Sequence, residues 1–373
     1  MSSSQGSSHL PPNKVTRRGF LIAITGSALA AAAGCRPDGL VVPTVYAPGS
    51  GPRPTATPSG TASASALHDP TYGEVTFDKM ILTSAEDLYI TQYDYDSTPE
   101  IDADTWTLKV DGLVENPTTF DLKTLKGFPV YEDMRTLECI GNPVGGGLIG
   151  NVLWKGFRFE EILNRVNVKP TATYLKFECA DGYSTSVELK WATQPDVMMA
   201  YEMNGEPLTT KHGFPIRILM PGLYGQKMPR WITHLEFIDQ YYRGFWESRG
   251  WSDVASVQTN SIIKGPSSGY ETKAGSELVI QGVAWAGTRA ITKVEVQIDG
   301  GEWMPANLTH GPSPRAWTQW YLKWTPPAPG TYRIAVHATD ETGFVQTNEA
   351  SGIFGDAAPD GTSAIHRITI QAV

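Results

Sequence analysis

Cys139 stands in the stretch Thr136 to Trp154, TLECIGNPVGGGLIGNVLW, where a strand-like run meets a loop carrying Gly141, Gly145, Gly146, Gly147 and Gly150. A lone thiol at a strand end, beside backbone that glycine lets approach something bulky, suits a thiolate ligand to a soft metal. Free cysteine is also among the most buried residue types, so this stretch alone leaves a plain core role open. The other cysteines, Cys35 and Cys179, are distant in sequence, and no disulfide framework, CxxC pair or c-type haem attachment motif is present. A metal at Cys139 must then be held by few protein ligands or arrive inside a cofactor.

The elements that must position this thiol fall into two groups. From about Tyr72 the pattern is mixed: Trp106 to Gly112 alternates as a strand into a turn, Phe159 to Val166 has helical spacing, and Tyr174 to Cys179 and Ile216 to Gly222 read as strands ending in glycine-containing loops. This predicts an α+β domain over residues 71–256 with functional loops at strand ends. After about Gln258 the character changes to short alternating strands, Leu278 to Trp285, Ile291 to Ile298 before Asp299-Gly300-Gly301, Trp317 to Trp324 and Thr331 to Thr339. Their spacing predicts an immunoglobulin-like β-sandwich over residues 257–373, lacking the usual cysteine pair. A sandwich by itself specifies no chemistry.

The 373 residues carry 39 acidic and 30 basic side chains, a formal charge of -9, with no long Lys/Arg run. A nucleic-acid partner would require a basic face to replace phosphate counterions and is set aside. Near the N-terminus, Thr16-Arg17-Arg18-Gly19-Phe20-Leu21 precedes an apolar run from Ile22 to Ala33, a pattern similar to a twin-arginine export signal. The run is too short to span a bilayer comfortably. Ala32-Ala33-Gly34-Cys35 is similar to a lipobox, with Ala32 where leucine is usual, so residues 1–35 are read as a twin-arginine signal with a lipidation site. Residues 36–70 are Pro, Gly, Ser, Thr and Ala with almost no large apolar side chain, a tether that would hold the folded part off a membrane surface.

Taken in order, Thr136-Leu137-Glu138-Cys139-Ile140-Gly141-Asn142, then His212-Gly213-Phe214-Pro215-Ile216-Arg217, then Pro221-Gly222 and Arg230-Trp231, resemble the sulfite oxidase superfamily of molybdopterin-dependent oxidoreductases. The resemblance runs from about Tyr72 to the C-terminus and implies a molybdopterin domain followed by a dimerisation domain, hence a homodimer. It implies one molybdenum-molybdopterin per chain, with Cys139 as the protein thiolate on a square-pyramidal metal completed by pterin dithiolene and oxo ligands. The family's pterin-contacting positions map onto Tyr89, Gln92, Tyr93, Asp181, His212, Arg217, Lys227, Met228 and Arg230. The residue types suit that task, since a phosphate requires Arg, Lys and N–H donors in fixed geometry and the pterin edges require an Asp or backbone carbonyls.

The chain departs from true sulfite oxidases where those enzymes place pocket arginines. Thr91 aligns with one, Pro143 and Val144 follow the Cys-x-Gly-Asn motif where another is expected, and Gly250-Trp251 replaces an Asp-Tyr pair. Without those charge-assisted contacts, sulfite is not expected to be the main substrate. Trp251, Trp246, Tyr89 and Tyr93 point to a more apolar pocket, with Trp251 as its candidate catalytic residue, although aromatics in such runs are more often plain core. No haem-binding domain is evident and three cysteines are too few for a four-cysteine iron–sulfur cluster, so electrons are expected to pass to an external carrier, a cytochrome or quinone-linked membrane protein. The expected activity is oxygen-atom transfer at a small S-oxide or N-oxide, at the extracytoplasmic membrane face or in the periplasm. Sulfite dehydrogenase-like activity and a tethered, non-enzymatic binding lipoprotein are the alternatives.

Overall fold

The computed structural model describes residues 80–94, 98–347 and 357–373. The expected export signal, Cys35 and the tether lie outside the described residues. The first domain is built on two sheets. One orders Thr118–Asp121, Thr107–Gly112, Ile232–Ile238, Tyr174–Cys179 and Ser184–Glu188, with only the Thr107–Gly112 and Ile232–Ile238 pair parallel. The other orders Val130–Glu138, Ile149–Arg158, Met198–Met203 and Glu206–Pro207, with Arg217–Leu219 also pairing against Met198–Met203.

Period-two patterning explains the first sheet: Leu108 and Val110, then Leu175 and Phe177, turn fully buried side chains to the core while alternate residues face out. Ile149–Arg158 is instead buried along most of its length, since it lies inside its sheet, between Val130–Glu138 and Met198–Met203. Three short helices, Leu122–Lys126, Glu160–Val166 and Leu189–Ala192, accompany the sheets. The first is capped by Asp121, whose Oδ1 accepts the Thr124 N–H at 2.7 Å. The β component therefore dominates the expected α+β domain.

The second domain is a sandwich of a four-stranded sheet (Asn260–Gly265, Leu278–Trp285, Thr318–Trp324, Asn307–Thr309) and a five-stranded sheet (Glu271–Thr272, His366–Ala372, Gly330–Asp340, Ile291–Ile298, Trp303–Pro305). Ile280, Trp320, Val294, Val296, Ile334 and Ile370 fill the space between them. Asp299 and Gly300 take φ of 49° and 73°, the two positive values of the tight hairpin turn their sequence demanded.

The two domains share a third apolar cluster of Ile140, Ile149, Tyr224, Val257, Ile262, Trp285 and Trp317. Beside it, Arg315 of the sandwich donates to Asp133 at 2.7 Å and to Asp196 at 3.0 Å. The Arg315 carbonyl accepts the Thr136 N–H at 2.8 Å, and Thr136 Oγ1 accepts the Trp317 N–H at 2.8 Å. The strand that ends at Glu138, one residue before the thiol, is thereby fixed along one side by the second domain.

Candidate active site

Cys139 sits where that strand leaves its sheet. Its N–H donates to the Leu148 carbonyl at 3.0 Å and its own carbonyl accepts the Asn142 N–H at 3.0 Å, while Asn142 Oδ1 accepts the Leu148 N–H at 2.9 Å. The glycine loop is thus a closed turn with the thiol at its base. A Cβ built on Gly141 would lie in ordinary contact, 3.4 Å from Trp251 Cη2 and 3.9 Å from Cys139 Sγ, so indole and thiol flank the same glycine. Gly145 has φ of 72°, and a Cβ on it would overlap the His366 ring of the sandwich.

The thiol is partly exposed, and burial of its surroundings pushes its pKa up, opposed by the Gly141 N–H and the Thr91 hydroxyl. A bound soft cation would hold it as thiolate, because metal ligation displaces the proton. Among the described residues no group of three His, Cys, Asp or Glu side chains could hold a metal ion. A metal on Cys139 would draw its remaining ligands from a bound organic group.

Arg217 supplies the clearest sign of such a group. It is 4% exposed, its Nη1 and Nη2 reach the His212 and Met228 carbonyls at long distances of 3.3 and 3.4 Å, and its Nε has no partner. Among the described residues no carboxylate pairs with it; its flat face lies 5.2 Å from the Trp154 ring, and burial, then the nearby Arg230, pulls its pKa down to about 9. A buried guanidinium with a spare donor is a receptor for an anion, and a phosphate matches its fork.

The other expected residues gather around it with different tasks. His212 Nε2 donates to the Ala85 carbonyl at 2.8 Å, which fixes the tautomer, and burial pulls its pKa down to about 4, so the ring is a neutral spacer that leaves Nδ1 as the acceptor. Gly213, at φ of 102°, turns the chain immediately after it against the Arg230 side chain. Arg230 donates to the carbonyls of Lys211 and Thr91, the latter at 3.0 Å, and to Gln92 Oε1 at 3.1 Å, tying the 89–93 segment to the 228–231 segment. Gln92 also donates to the Asp94 carbonyl at 2.9 Å. Tyr93 donates to the Asp181 carbonyl and packs 4.5 Å from Phe245. The Asp181 carboxylate accepts the Tyr183 N–H at 3.0 Å and is pushed up by burial. Tyr89 is buried, and burial first, then the nearby Cys139, pushes its hydroxyl pKa well up, with Arg217 opposing.

Two expected residues serve the frame by their side-chain geometry. Lys227 is wholly buried, and its Nζ is engaged by Glu247, by the Ser186 carbonyl at 3.0 Å and by Thr185 Oγ1 at 3.3 Å. Met228 is buried and offers its carbonyl to Arg217. Trp251 meets the site, with Trp246 behind it at 6.3 Å edge-on. Sequence reasoning did not single out Glu247, whose burial follows from the tertiary position of Lys227, nor the buried Glu138 beside the thiol. No spacing signal marks either one.

The donor set fits a phosphate-bearing pterin that carries a thiolate-bound metal: an unpaired buried guanidinium, a neutral imidazole, a half-buried carboxylate and a reachable thiol. The comparisons with known proteins agree. Residues 95–246 match the oxidoreductase molybdopterin binding domain, and residues 252–358 match the Mo-co oxidoreductase dimerisation domain. Mitochondrial sulfite oxidase of Rattus norvegicus is 32% identical over 324 residues, 74% of this chain, and the chain spans 59% of that enzyme's length. The oxidoreductase YuiH of Bacillus subtilis is 35% identical over 146 residues, 39% of this chain and 72% of that protein. The crystal structure of the sulfane dehydrogenase SoxCD from Paracoccus pantotrophus superimposes with a TM-score of 0.67 at 26% identity, over 78% of this chain and 81% of that one. With both domains matched in order and the thiol, guanidinium and imidazole brought to one place, the chain belongs to the sulfite oxidase family of molybdopterin-binding oxidoreductases.

Proposed function

We propose that this protein is an exported oxidoreductase that transfers an oxygen atom to or from a small uncharged substrate, an S-oxide or N-oxide, and exchanges electrons with a separate carrier. One observation carries the substrate reading. Beside Cys139 stand the Thr91 hydroxyl, which faces the thiol, and the Trp251 indole, and the loop that follows offers Pro143 and Val144. The nearby cation Arg230 is committed to the Lys211 and Thr91 carbonyls and to Gln92. A dianion would enter such a pocket with little charge-assisted compensation, whereas a neutral oxide requires one hydrogen-bond donor and an apolar wall.

The cofactor, when bound, supplies a metal that takes or gives an oxygen atom with two electrons. The chain's own residues would do the rest. Cys139 would anchor the metal, Arg217 would hold the phosphate, and His212, Asp181 and the 228–230 backbone would orient the pterin. The Thr91 hydroxyl would donate to the substrate oxygen, and Trp251 would exclude water. Two copies joined through the dimerisation domain, export by the twin-arginine motif and lipidation at Cys35 belong to the same proposal, supported by the matched second domain and by the sequence.

The test is molybdenum and pterin content of protein made with its own leader in a cofactor-producing host, followed by turnover of S-oxides and N-oxides with a reduced dye and of sulfite with an oxidised one. About one metal per chain, oxide turnover above sulfite turnover, and loss of metal in Cys139→Ser are expected. Faster sulfite oxidation would replace the substrate reading with the sulfite dehydrogenase alternative. Absence of both metal and pterin would leave the binding-lipoprotein reading in front.

A further inference from the structure

Glu138 precedes the thiol and is 3% exposed, with two asparagine amides on its oxygens and Lys264 the nearby cation. Its Oε1 accepts Asn142 Nδ2 at 2.8 Å, and its Oε2 accepts Asn260 Nδ2 at 2.9 Å. Asn142 belongs to the glycine loop, where its own Oδ1 holds the Leu148 N–H; Asn260 opens the first strand of the sandwich. Burying a carboxylate costs desolvation that hydrogen bonds only partly offset, so this is a costly arrangement for mere domain adhesion. The same loop meets the sandwich a second time at Gly145, against the His366 ring, whose Nδ1 accepts the Ile263 N–H at 3.0 Å.

We propose that the sandwich is a working part of the metal site: Asn260, through Glu138 and Asn142, sets the position of the loop that presents Cys139 Sγ. Glu138 and Asn260 are positioning residues and touch neither metal nor substrate. The role as metal thiolate rests on the function proposed above; the clamp on the loop does not. A substitution in the second domain should therefore alter the thiol, whereas breaking the neighbouring Arg315 ion pairs should loosen the domains and leave the thiol alone. The Oδ1 of Asn260 has no partner, so glutamine at position 138 could accept from one asparagine and donate to that oxygen, preserving the clamp.

The test uses the full chain made without cofactor. Alkylation of Cys139 by iodoacetamide is followed by peptide mass spectrometry, with Cys179 as the buried reference. Asn260→Ala and Glu138→Ala should each change the Cys139 rate by about tenfold, the scale of one lost buried hydrogen bond. The double variant should be no further changed than either single variant. Glu138→Gln should stay within about twofold of wild type, and Arg315→Ala should lower the melting temperature without moving the Cys139 rate, on the reasoning that local and global opening separate. A Cys139 rate unchanged in Asn260→Ala, or changed equally in Arg315→Ala, overturns the proposal. In cofactor-loaded protein, Asn260→Ala should shift the thiolate-sensitive Mo(V) resonance while wild type and Arg315→Ala coincide. A wild type without metal whose Cys139 still responds to Asn260→Ala would refute the metal reading and uphold the clamp.

Discussion

Arg217→Met should make the cofactor-free protein more stable and the cofactor-loaded protein unobtainable. The wild-type guanidinium is buried, pairs with no carboxylate among the described residues and is pulled from its usual value down to about 9, chiefly by burial. A fall of more than three pH units at about 1.4 kcal/mol each puts the penalty for the unpaired charge near 5 kcal/mol, as an upper bound. Methionine has similar length and no charge. Its introduction strands the His212 and Met228 carbonyls, whose bonds to Arg217 are 3.3 and 3.4 Å long. At roughly 1 kcal/mol for each such long bond, the net gain is about 3 kcal/mol, or roughly 5–10 °C in melting temperature for a chain of this size. Calorimetry on apo protein from a cofactor-deficient host measures it. Pterin content from a competent host should fall at least about tenfold, because a charge-assisted contact to phosphate is lost. An apo Arg217→Met protein that melts below wild type, or that retains the pterin, would show that the guanidinium is a structural strut and not an anion receptor.

Lys227→Met should destabilise by about 3–5 kcal/mol by leaving the buried Glu247 unpaired, whereas Lys227→Met with Glu247→Leu should recover most of that loss and keep the cofactor; loss of pterin in the double variant would return Lys227 to the cofactor shell. His366, pulled down to about 4 chiefly by burial, binds its proton more weakly folded than unfolded. Its stabilising contribution is therefore complete above about pH 6.5 and is lost as pH falls toward 4, so wild type should lose about 3 kcal/mol across that window relative to His366→Gln, read from urea melts at each pH. Thr91→Arg should lower the KM for sulfite at least about tenfold and raise that for neutral oxides; an unchanged sulfite KM would place position 91 outside the substrate pocket.

The strands of both domains were legible because their patterning is local. Tyr174–Cys179, Leu278–Trp285 and Ile291–Ile298 begin and end where alternation and turn residues say they should. Ser184–Glu188 and Met198–Met203 were not singled out, since burial on both faces of Met198–Met203 removes the alternation. The thiol beside its glycines, the His212 and Arg217 motif and the missing pocket arginines are likewise properties of order and type along the chain. The tertiary structure alone decided what each charge faces. It gave Lys227 to Glu247 and left Arg217 without an anion, although both read as cations at cofactor positions. It brought Asn260, 122 positions from Glu138, into the same hydrogen-bonded group. Sequence specifies local backbone and side-chain chemistry through short-range sterics and patterning, whereas partnership between charges depends on distance in space and on exclusion of water, which only the folded packing sets.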